Sequence, residues 1–348
     1  YVDGRPAVDL WGGWADPARS RPWQRDTLVC VFSCTKGMVA LCAHLLADRG
    51  QLDYDAPVAR YWPEFAAAGK AAITVRQLLS HQAGLPLLRE PLPPGGIYDW
   101  DRVVRALAAE KPHWEPGTAH GYHTLSFGHL VGELVRRIDG RDVGRFFREE
   151  VAQPLRADFL IGVGEQDEAR VAELAPPPER TQLGPVARAA LEVDAARIAR
   201  YDDPHLLVPP VVNTRVWRAA QIPGGNGHGN ARALARVYAA LARGGELDGV
   251  RLISPAAIAR MSERQVLGKD RTIGIENEFA LGFHRNGGSP LMRLGNSPTA
   301  FGHGGAYGSI GMADPARRIG LGYVMNQCGE PLGDPRGPAL VEAVYACL

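Results

Sequence analysis

The sequence predicts an α/β (α+β) fold: an antiparallel sheet, flanked by helices and built from both chain ends, with an inserted all-helical lobe. Three observations predict it: strand-like segments near the N-terminus, helical patterns between Pro and Gly loops from about Leu52 to Pro209, and renewed strand patterns towards the C-terminus. We expect residues 1–55 and 210–348 to form the sheet domain and residues 56–209 to form the helical domain. A cleft between the two is the natural place for a ligand.

The N-terminal segments predict strands followed by a helix. Tyr1–Asp3 and Ala7–Trp11 are expected to form a hairpin, and a short strand is expected at Thr27–Val31. The apolar run Met38–Leu46 then predicts a buried helix. Ser33 would therefore lie where a strand passes into a helix.

The middle of the chain has the 3.6-residue apolar period of helices. The helices predicted there span Val75–Ser80, Asp101–Lys111, Leu125–Ile138, Val143–Val151 and a stretch near Val186–Arg200. Towards the C-terminus, helices are predicted at Ala231–Arg243, Pro255–Met261 and Pro338–Leu348, and strands at Ala280–Arg285, Ser309–Ala313 and Ile319–Asn326.

Composition limits the function classes. The chain has 348 residues, of which 45% are hydrophobic and 22% charged, with a formal net charge of +1; these values are typical of a globular protein. No uninterrupted apolar run is long enough for a membrane span, and basic residues are not grouped into a nucleic-acid-binding patch. We therefore expect small molecules as partners; the oligomeric state is left open.

The five cysteines contain no C-x-x-C pair. Free thiols among apolar neighbours are typical of a reducing compartment, so we expect a cytoplasmic location. His120 and His123 stand three positions apart, but no nearby carboxylate or cysteine supplies a third ligand, and no metal site is predicted. The glycine-rich segment 224–229 is expected to form a loop at the edge of the cleft.

The chain contains one Ser-x-x-Lys pattern, Ser33 to Lys36, which opens the predicted buried helix. Side chains three positions apart share a face of a helix, so the Lys36 amine can lie one turn beyond the Ser33 hydroxyl and accept its proton. The alternative is a serine that caps the helix and a lysine that reaches solvent. The pattern makes Ser33 a candidate nucleophile and Lys36 its candidate base.

A second candidate, Tyr122, stands in a turn just before the predicted helix that starts at Leu125. Its phenol is suited to proton transfer in acylation, alone or in a relay with Lys36. The alternative is a core aromatic side chain with a hydrogen-bonded hydroxyl.

A third candidate is the segment Phe301–Ala306, in which Gly302, Gly304 and Gly305 surround His303. Glycines allow a backbone to approach a ligand closely and to direct an N–H at a developing oxyanion. The alternative is a tight turn at the edge of a sheet.

In chain order, these three segments resemble the motifs of the serine beta-lactamase-like family, in its branch of class C beta-lactamases, family VIII carboxylesterases and D-aminopeptidases. That family carries Ser-x-x-Lys, then Tyr-x-Asn or a variant, then Lys/His-x-Gly on a late strand. The resemblance implies a beta-lactamase/transpeptidase-like fold and acyl transfer through an ester of Ser33, with Lys36 and Tyr122 moving protons. It further implies an oxyanion hole formed by the N–H groups of Ser33 and Ala306, and it implies no metal or cofactor.

Two departures from the lactamase pattern bear on the substrate. Thr124 stands where lactamases and peptidases have an asparagine, and His303 and Gly304 stand where a lactamase has lysine and threonine. The permanent charge and hydroxyl that would bind a beta-lactam carboxylate are therefore missing. We expect Thr124, His303, Gly304 and Gly305 to contact the substrate.

Esters of small or medium acyl groups are the expected substrates, and the expected enzyme is a serine hydrolase of carboxylesterase type. An acyltransferase, a D-peptidase or amidohydrolase, and a weak beta-lactamase are alternatives on the same fold. A binding protein that has lost catalysis is a further alternative, although Ser33, Lys36 and Tyr122 are all present.

Overall fold

The computed structural model describes residues 1–178 and 206–348. The helix expected near Val186–Arg200 lies outside the described residues. The strands are β1 (Val29–Cys30), β2 (Phe159–Ile161), β3 (Gly227–Gly229), β4 (Glu246–Leu247), β5 (Val250–Arg251), β6 (Val266–Lys269), β7 (Glu276–Phe279), β8 (Phe301–Gly304), β9 (Ile310–Asp314) and β10 (Ile319–Tyr323). The α-helices are α1 (Cys34–Asp48), α2 (Val75–Leu79), α3 (Trp100–Ala109), α4 (Ser126–Asp139), α5 (Val143–Phe147), α6 (Gln153–Leu155), α7 (Pro209–Val212), α8 (Arg215–Ala219), α9 (Ala231–Ala242), α10 (Pro255–Ser262) and α11 (Arg336–Ala346).

The main sheet is antiparallel and is built from both ends of the chain. Its order is β10-β9-β8, and His284 continues it by bridging Gly302 of β8 and Phe279 of the β6–β7 hairpin. At the opposite edge, Val2 bridges Ile319 of β10. The predicted fold class is therefore confirmed.

Helices cover both faces of this sheet. On one face, α9 packs against β9 and β10, and α1 contacts β8. On the other face, Val341 of α11 packs with Ile310, Met312 and Ile319 in a separate apolar cluster. Because side chains alternate between the faces of a strand, one sheet can support both helical layers.

A smaller sheet connects the start of α1 to distant parts of the chain. Its order is β1-β3-β2, with Cys30 opposite His228 and His228 opposite Leu160. β2 belongs to the interval 56–209 that we assigned to the helical domain, yet it pairs with β3 from the C-terminal part. The division into two domains stays a prediction.

Most predicted helices are confirmed within a few residues, but two predicted strands are wrong. Residues 7–11 form no strand and are exposed; instead of a long hairpin, Val2 bridges Arg5 in a tight turn. In the segment Ala280–Arg285, the N–H of Ala280 donates to the carbonyl of Phe283 at 2.9 Å and closes a turn. The strand of this region lies earlier, in β7, because the turn ends the extended pairing there.

Over residues 1–178 and 206–348, no helix is long and apolar enough to cross a membrane.

Candidate active site

Ser33 lies at the sharp turn between β1 and α1. It precedes the first residue of α1, with φ −67° and ψ −8°. The preceding residue, Phe32, has a φ of +47°, a left-handed conformation that is strained for a residue with a side chain. The Phe32 ring packs edge-on against Tyr307 at 5.2 Å between centroids. This ring contact holds the turn, and with it Ser33, at the start of the helix.

Lys36 reaches back to Ser33 from one helical turn further on. Its Nζ lies 2.9 Å from Ser33 Oγ and 2.5 Å from the carbonyl oxygen of Gly224. It also lies 4.7 Å from the centre of the Tyr122 ring. The side chain is 0% exposed, so the alternative of a lysine that reaches solvent is wrong.

Tyr122 is held by its main chain as well as by its ring. Its N–H group lies 3.0 Å from both carboxylate oxygens of Asp270. The ring is parallel to that of Phe279, with 6.2 Å between centroids. The side chain is buried and borders the same pocket as Ser33.

The third predicted segment forms β8 and the turn that follows it. A Cβ atom at Gly305 would lie 2.2 Å from the carbonyl oxygen of Val31, so only glycine allows β8 to end this close to β1. Tyr307 has a φ of +68° and turns the chain immediately after Ala306. Left-handed residues thus stand next to both Ser33 and Ala306, and both of these residues border the pocket.

The structure brings the predicted residues together at one pocket. Ser33, Tyr122, Thr124, His303, Gly304, Gly305 and Ala306 line it, and Lys36 lies buried behind Ser33. Apolar side chains form part of the remaining wall: Leu125, Leu207, Ile273, Leu291, Leu294 and Ile310. Such a surface is suited to the hydrocarbon part of a substrate.

Two buried histidines face each other beside Tyr122. The rings of His284 and His303 are 4.5 Å apart and nearly perpendicular. Burial lowers the pKa of His284 to about 3, and the charge of Lys36 adds to the effect. Burial, followed by His284 and Lys36, holds the pKa of His303 well below its usual range. Both imidazoles are therefore neutral at neutral pH.

The hydrogen bonds of these rings identify their tautomers. The Nδ1 atom of His303 is 2.7 Å from the carbonyl oxygen of Gly304, so it carries the proton and donates it. The Nδ1 atom of His284 is 3.1 Å from Asn277 Oδ1 and donates likewise. Neither residue gives the pocket a permanent positive charge. This agrees with the expectation from the sequence that the pocket lacks the charge that would bind a beta-lactam carboxylate.

Three residues of the site were missed or only partly foreseen. The segment 224–229 was expected to be a loop, but Gly227–Gly229 of it forms the buried strand β3. Gly224 precedes that strand and lines the pocket, and its carbonyl contact with Lys36 has no sequence signal. Asp270 and His284 stand outside the motifs and reach the site through the β6–β7 hairpin and the turn after it. Within the described residues, no group of three or more His, Cys, Asp or Glu side chains is arranged to hold a metal ion.

Comparisons with known proteins place the chain in a family. The family model described as Beta-lactamase matches residues 1–345. The esterase/beta-lactamase LipL of Mycobacterium tuberculosis (strain ATCC 25618 / H37Rv) is 41% identical over 343 residues, which cover 95% of this chain and 77% of that protein.

Two solved structures have the same fold over the whole chain. The structure of a family VIII carboxylesterase matches with a TM-score of 0.90 and 46% identity, covering 100% of this chain and 90% of the other. A penicillin-binding protein homologue from Caulobacter crescentus matches with a TM-score of 0.88 and 41% identity, covering 100% and 91%. This protein is therefore a hydrolase of the beta-lactamase family.

Proposed function

We propose that this protein is a serine carboxylesterase that cleaves small or medium acyl esters through an ester formed on Ser33. One observation supports the proposal above the others: the buried Lys36 amine lies 2.9 Å from the Ser33 hydroxyl at the edge of a partly apolar pocket. A nucleophile and its base within hydrogen-bonding distance are the signature of covalent acyl transfer.

In the first half of the reaction, Ser33 Oγ attacks the ester carbonyl while its one proton passes to the Lys36 amine, which forms a relay with the Tyr122 hydroxyl. The N–H groups of Ser33 and Ala306 stabilise the oxyanion that develops on the carbonyl oxygen. When the tetrahedral intermediate collapses, the C–O bond to the alcohol breaks, and the same two side chains return the proton to the leaving oxygen.

In the second half, water attacks the acyl group on Ser33. Lys36 and Tyr122 accept a proton from the water and return one to Ser33 Oγ, so the acid is released and the free serine is restored. The balance of the two halves is one ester and one water consumed, and one acid and one alcohol formed.

Neutral histidines and an apolar wall favour esters without a negative charge. His303, Gly304, Gly305 and Thr124 are proposed to contact the groups next to the scissile bond. Because His303 is neutral, it offers no ion pair to a substrate carboxylate. Small-molecule esters are the proposed partners, and a cytoplasmic location remains part of the proposal.

The similarity to relatives supports the same chemistry. One relative with 41% identity is named an esterase/beta-lactamase, and the family VIII carboxylesterase has 46% identity over the whole chain. The penicillin-binding protein homologue leaves an amide-directed activity as the alternative that an experiment has to separate.

The test measures hydrolysis of p-nitrophenyl acetate, butyrate and octanoate by the wild type, Ser33→Ala and the matched control Ser262→Ala. The Ser262 hydroxyl, which this change removes, donates to the carbonyl oxygens of Ile258 and Ala259 in its own helix. We expect Ser33→Ala to lose on the order of a thousandfold or more in kcat and Ser262→Ala to stay within about twofold. Wild-type turnover by Ser33→Ala would contradict the proposal.

Substrate choice is tested with the same preparations. We expect ester hydrolysis to exceed the cleavage of nitrocefin and of a D-alanyl-D-alanine peptide in kcat/KM. An added alcohol that diverts most of the acyl group into a new ester would identify an acyltransferase instead. Preference for the peptide would identify an amidohydrolase.

A further inference from the structure

Asp270 lies immediately after β6 and is 1% exposed. Its Oδ1 atom accepts the N–H groups of Thr272 at 2.7 Å and Ile273 at 3.0 Å, which closes the turn between β6 and β7. Both carboxylate oxygens also lie 3.0 Å from the N–H of Tyr122. The buried Asp270 carboxylate therefore accepts hydrogen bonds both from its own turn and from Tyr122, which is distant along the chain.

Two neighbouring contacts show that the turn between β6 and β7 lies very close to the segment around Tyr122. The N–H of Arg271 donates to the carbonyl of His120 at 3.0 Å, so the two segments are joined at adjacent residues. A Cβ atom at Gly121 would lie 2.5 Å from Thr272 Oγ1 and 2.7 Å from the Trp114 ring. Only glycine between the two contacts lets the hairpin turn press against the Tyr122 loop.

The Asp270 carboxylate is also connected, through the side chain of Asn277, to the neighbouring rings of His284 and His303. Asn277 Nδ2 lies 3.5 Å from Asp270 Oδ2, and the Oδ1 of the same amide accepts from His284 Nδ1 at 3.1 Å. The His284 ring lies 5.8 Å from the Tyr122 ring. The acceptor role of Asp270 therefore fixes which way the amide points, and the amide fixes the tautomer of His284.

The position of the Tyr122 ring depends on these hydrogen bonds between Asp270 and the main chain of Tyr122. Its ring lies between the Lys36 amine, at 4.7 Å, and the parallel Phe279 ring, at 6.2 Å. The hydrogen bonds that Asp270 accepts from the main chain of Tyr122 fix the point from which this ring projects. A displacement of about 1 Å at a reacting group can lower a rate on the order of a hundredfold.

We propose that Asp270 is a positioning residue for the esterase reaction: its carboxylate holds the main chain of Tyr122 and, through Asn277, the orientation of His284. The inference rests on the proposed function, because it acts through the Tyr122 hydroxyl. Asp270 itself borders neither Ser33 nor the pocket.

The test is a double-mutant cycle with Asp270→Asn and Tyr122→Phe, measured as kcat and KM for p-nitrophenyl butyrate. Asparagine can keep one acceptor oxygen for the turn, but its NH₂ group then replaces Oδ2 and faces both the Asn277 amide and the Tyr122 N–H. We expect Asp270→Asn to lower kcat by on the order of tenfold to a hundredfold, with KM within about twofold. In the Tyr122→Phe background, the same change should lower kcat by less than about threefold, because residues that act together are not additive.

A matched control separates positioning from general loss of structure. Asp16 is also a buried carboxylate that closes a turn, through the N–H groups of Ser20 and Arg21, and it does not line the pocket. Asp16→Asn should keep kcat within about twofold. Urea unfolding of each variant confirms that the measured protein is folded; if Asp270→Asn fails to fold, Asp270→Glu, which keeps both acceptor oxygens, replaces it in the cycle.

Each outcome decides between the inference and the function on which it rests. The positioning role is wrong if Asp270→Asn lowers kcat by the same factor in the wild-type and Tyr122→Phe backgrounds, or if Asp270→Asn keeps the wild-type kcat. In either case, slow turnover by Tyr122→Phe would still support the proposed function. Wild-type turnover by Tyr122→Phe would overturn the role of that hydroxyl and the inference together.

Discussion

Lys36 and Lys70 are both 0% exposed, yet their surroundings differ in kind. The Lys70 amine donates to three main-chain carbonyls, of Ala67 at 2.8 Å, Ala108 at 2.9 Å and Glu110. The Lys36 amine has the Ser33 hydroxyl among its partners, at 2.9 Å. A carbonyl can only accept a hydrogen bond, whereas a hydroxyl can also give up its proton.

The comparison shows that burial of a lysine does not by itself mark a catalytic group. Burial lowers the pKa of Lys70 to about 8, with Glu110 opposing the effect, which is a value suited to a general base. Nevertheless, the described partners of the Lys70 amine are carbonyl oxygens, which have no proton to remove. The Lys70 amine instead connects the main chain at residues 67, 108 and 110. The chemistry of the partners separates the structural lysine from the candidate base.

The largest expected effect is on turnover. Lys36→Met should lower kcat/KM for p-nitrophenyl butyrate by on the order of a hundredfold or more, because it removes a proton acceptor of Ser33. Lys70→Met, the matched change at the other buried lysine, should stay within about threefold once the folded fraction is taken into account. Steady-state kinetics of the two variants, side by side, check the contrast.

If Lys36→Met keeps wild-type turnover, or if Lys70→Met loses as much as Lys36→Met does, the distinction between the two lysines is wrong.

The second effect is on stability, and its main site is Lys70. Lys70→Met leaves three carbonyls without their ammonium donor, and we expect the free energy of unfolding to fall by about 3 kcal/mol. Urea denaturation followed by circular dichroism measures this change. An unfolding midpoint equal to that of the wild type would mean that the three carbonyl contacts do not stabilise the fold.

A third contrast concerns two adjacent glycines at the end of β8. A Cβ at Gly305 would lie 2.2 Å from the Val31 carbonyl oxygen, whereas a Cβ at Gly304 would meet Ser309 O at an ordinary 3.9 Å. Gly305→Ala should therefore destabilise the protein by about 2 kcal/mol, and Gly304→Ala by less than about 1 kcal/mol. Thermal melting of the two variants tests this difference in stability. Equal melting temperatures would show that β8 can move away from β1 without a loss of stability.

The last contrast concerns the pH dependence set by a buried titratable group away from the pocket. Burial lowers the pKa of His129 to about 4, against about 6.5 in an unfolded chain. Between these values the unfolded chain binds more protons, so the free energy of unfolding falls as pH falls from 6.5 towards 4. His129→Leu should reduce that slope by up to about 1.4 kcal/mol per pH unit.

Urea denaturation at several pH values in this range measures the slope for the wild type and His129→Leu. An unchanged slope would mean that His129 takes up protons equally in the folded and unfolded chains.

The sequence was sufficient for features that are encoded locally. Ser33 and Lys36 are one helical turn apart, so their contact follows from helix geometry, and the periodic helices around 126–139 and 231–242 follow from apolar spacing. The family resemblance supplied the order of Tyr122 and the His303 segment. The strand predicted at residues 7–11 was wrong because its apolar residues are exposed and, within residues 1–178 and 206–348, pair with no neighbouring strand.

Contacts between distant segments could not be predicted in this way. β2 and β3 have three residues each, too few to show a period. Asp270 is 148 residues from Tyr122 along the chain, and no spacing rule connects a hairpin turn to that loop. The Gly224 carbonyl that accepts from Lys36 is a main-chain atom, so residue type carries no signal for it.

The most direct test of the central claim is intact-protein mass spectrometry during hydrolysis of p-nitrophenyl butyrate, with the adduct located by peptide mapping. We expect a transient butyryl group on Ser33 in the wild type, and none in Ser33→Ala. A butyryl group on any other residue, or rapid p-nitrophenol release with no adduct under conditions where hydrolysis of the acyl group is slowed, would contradict covalent catalysis by Ser33.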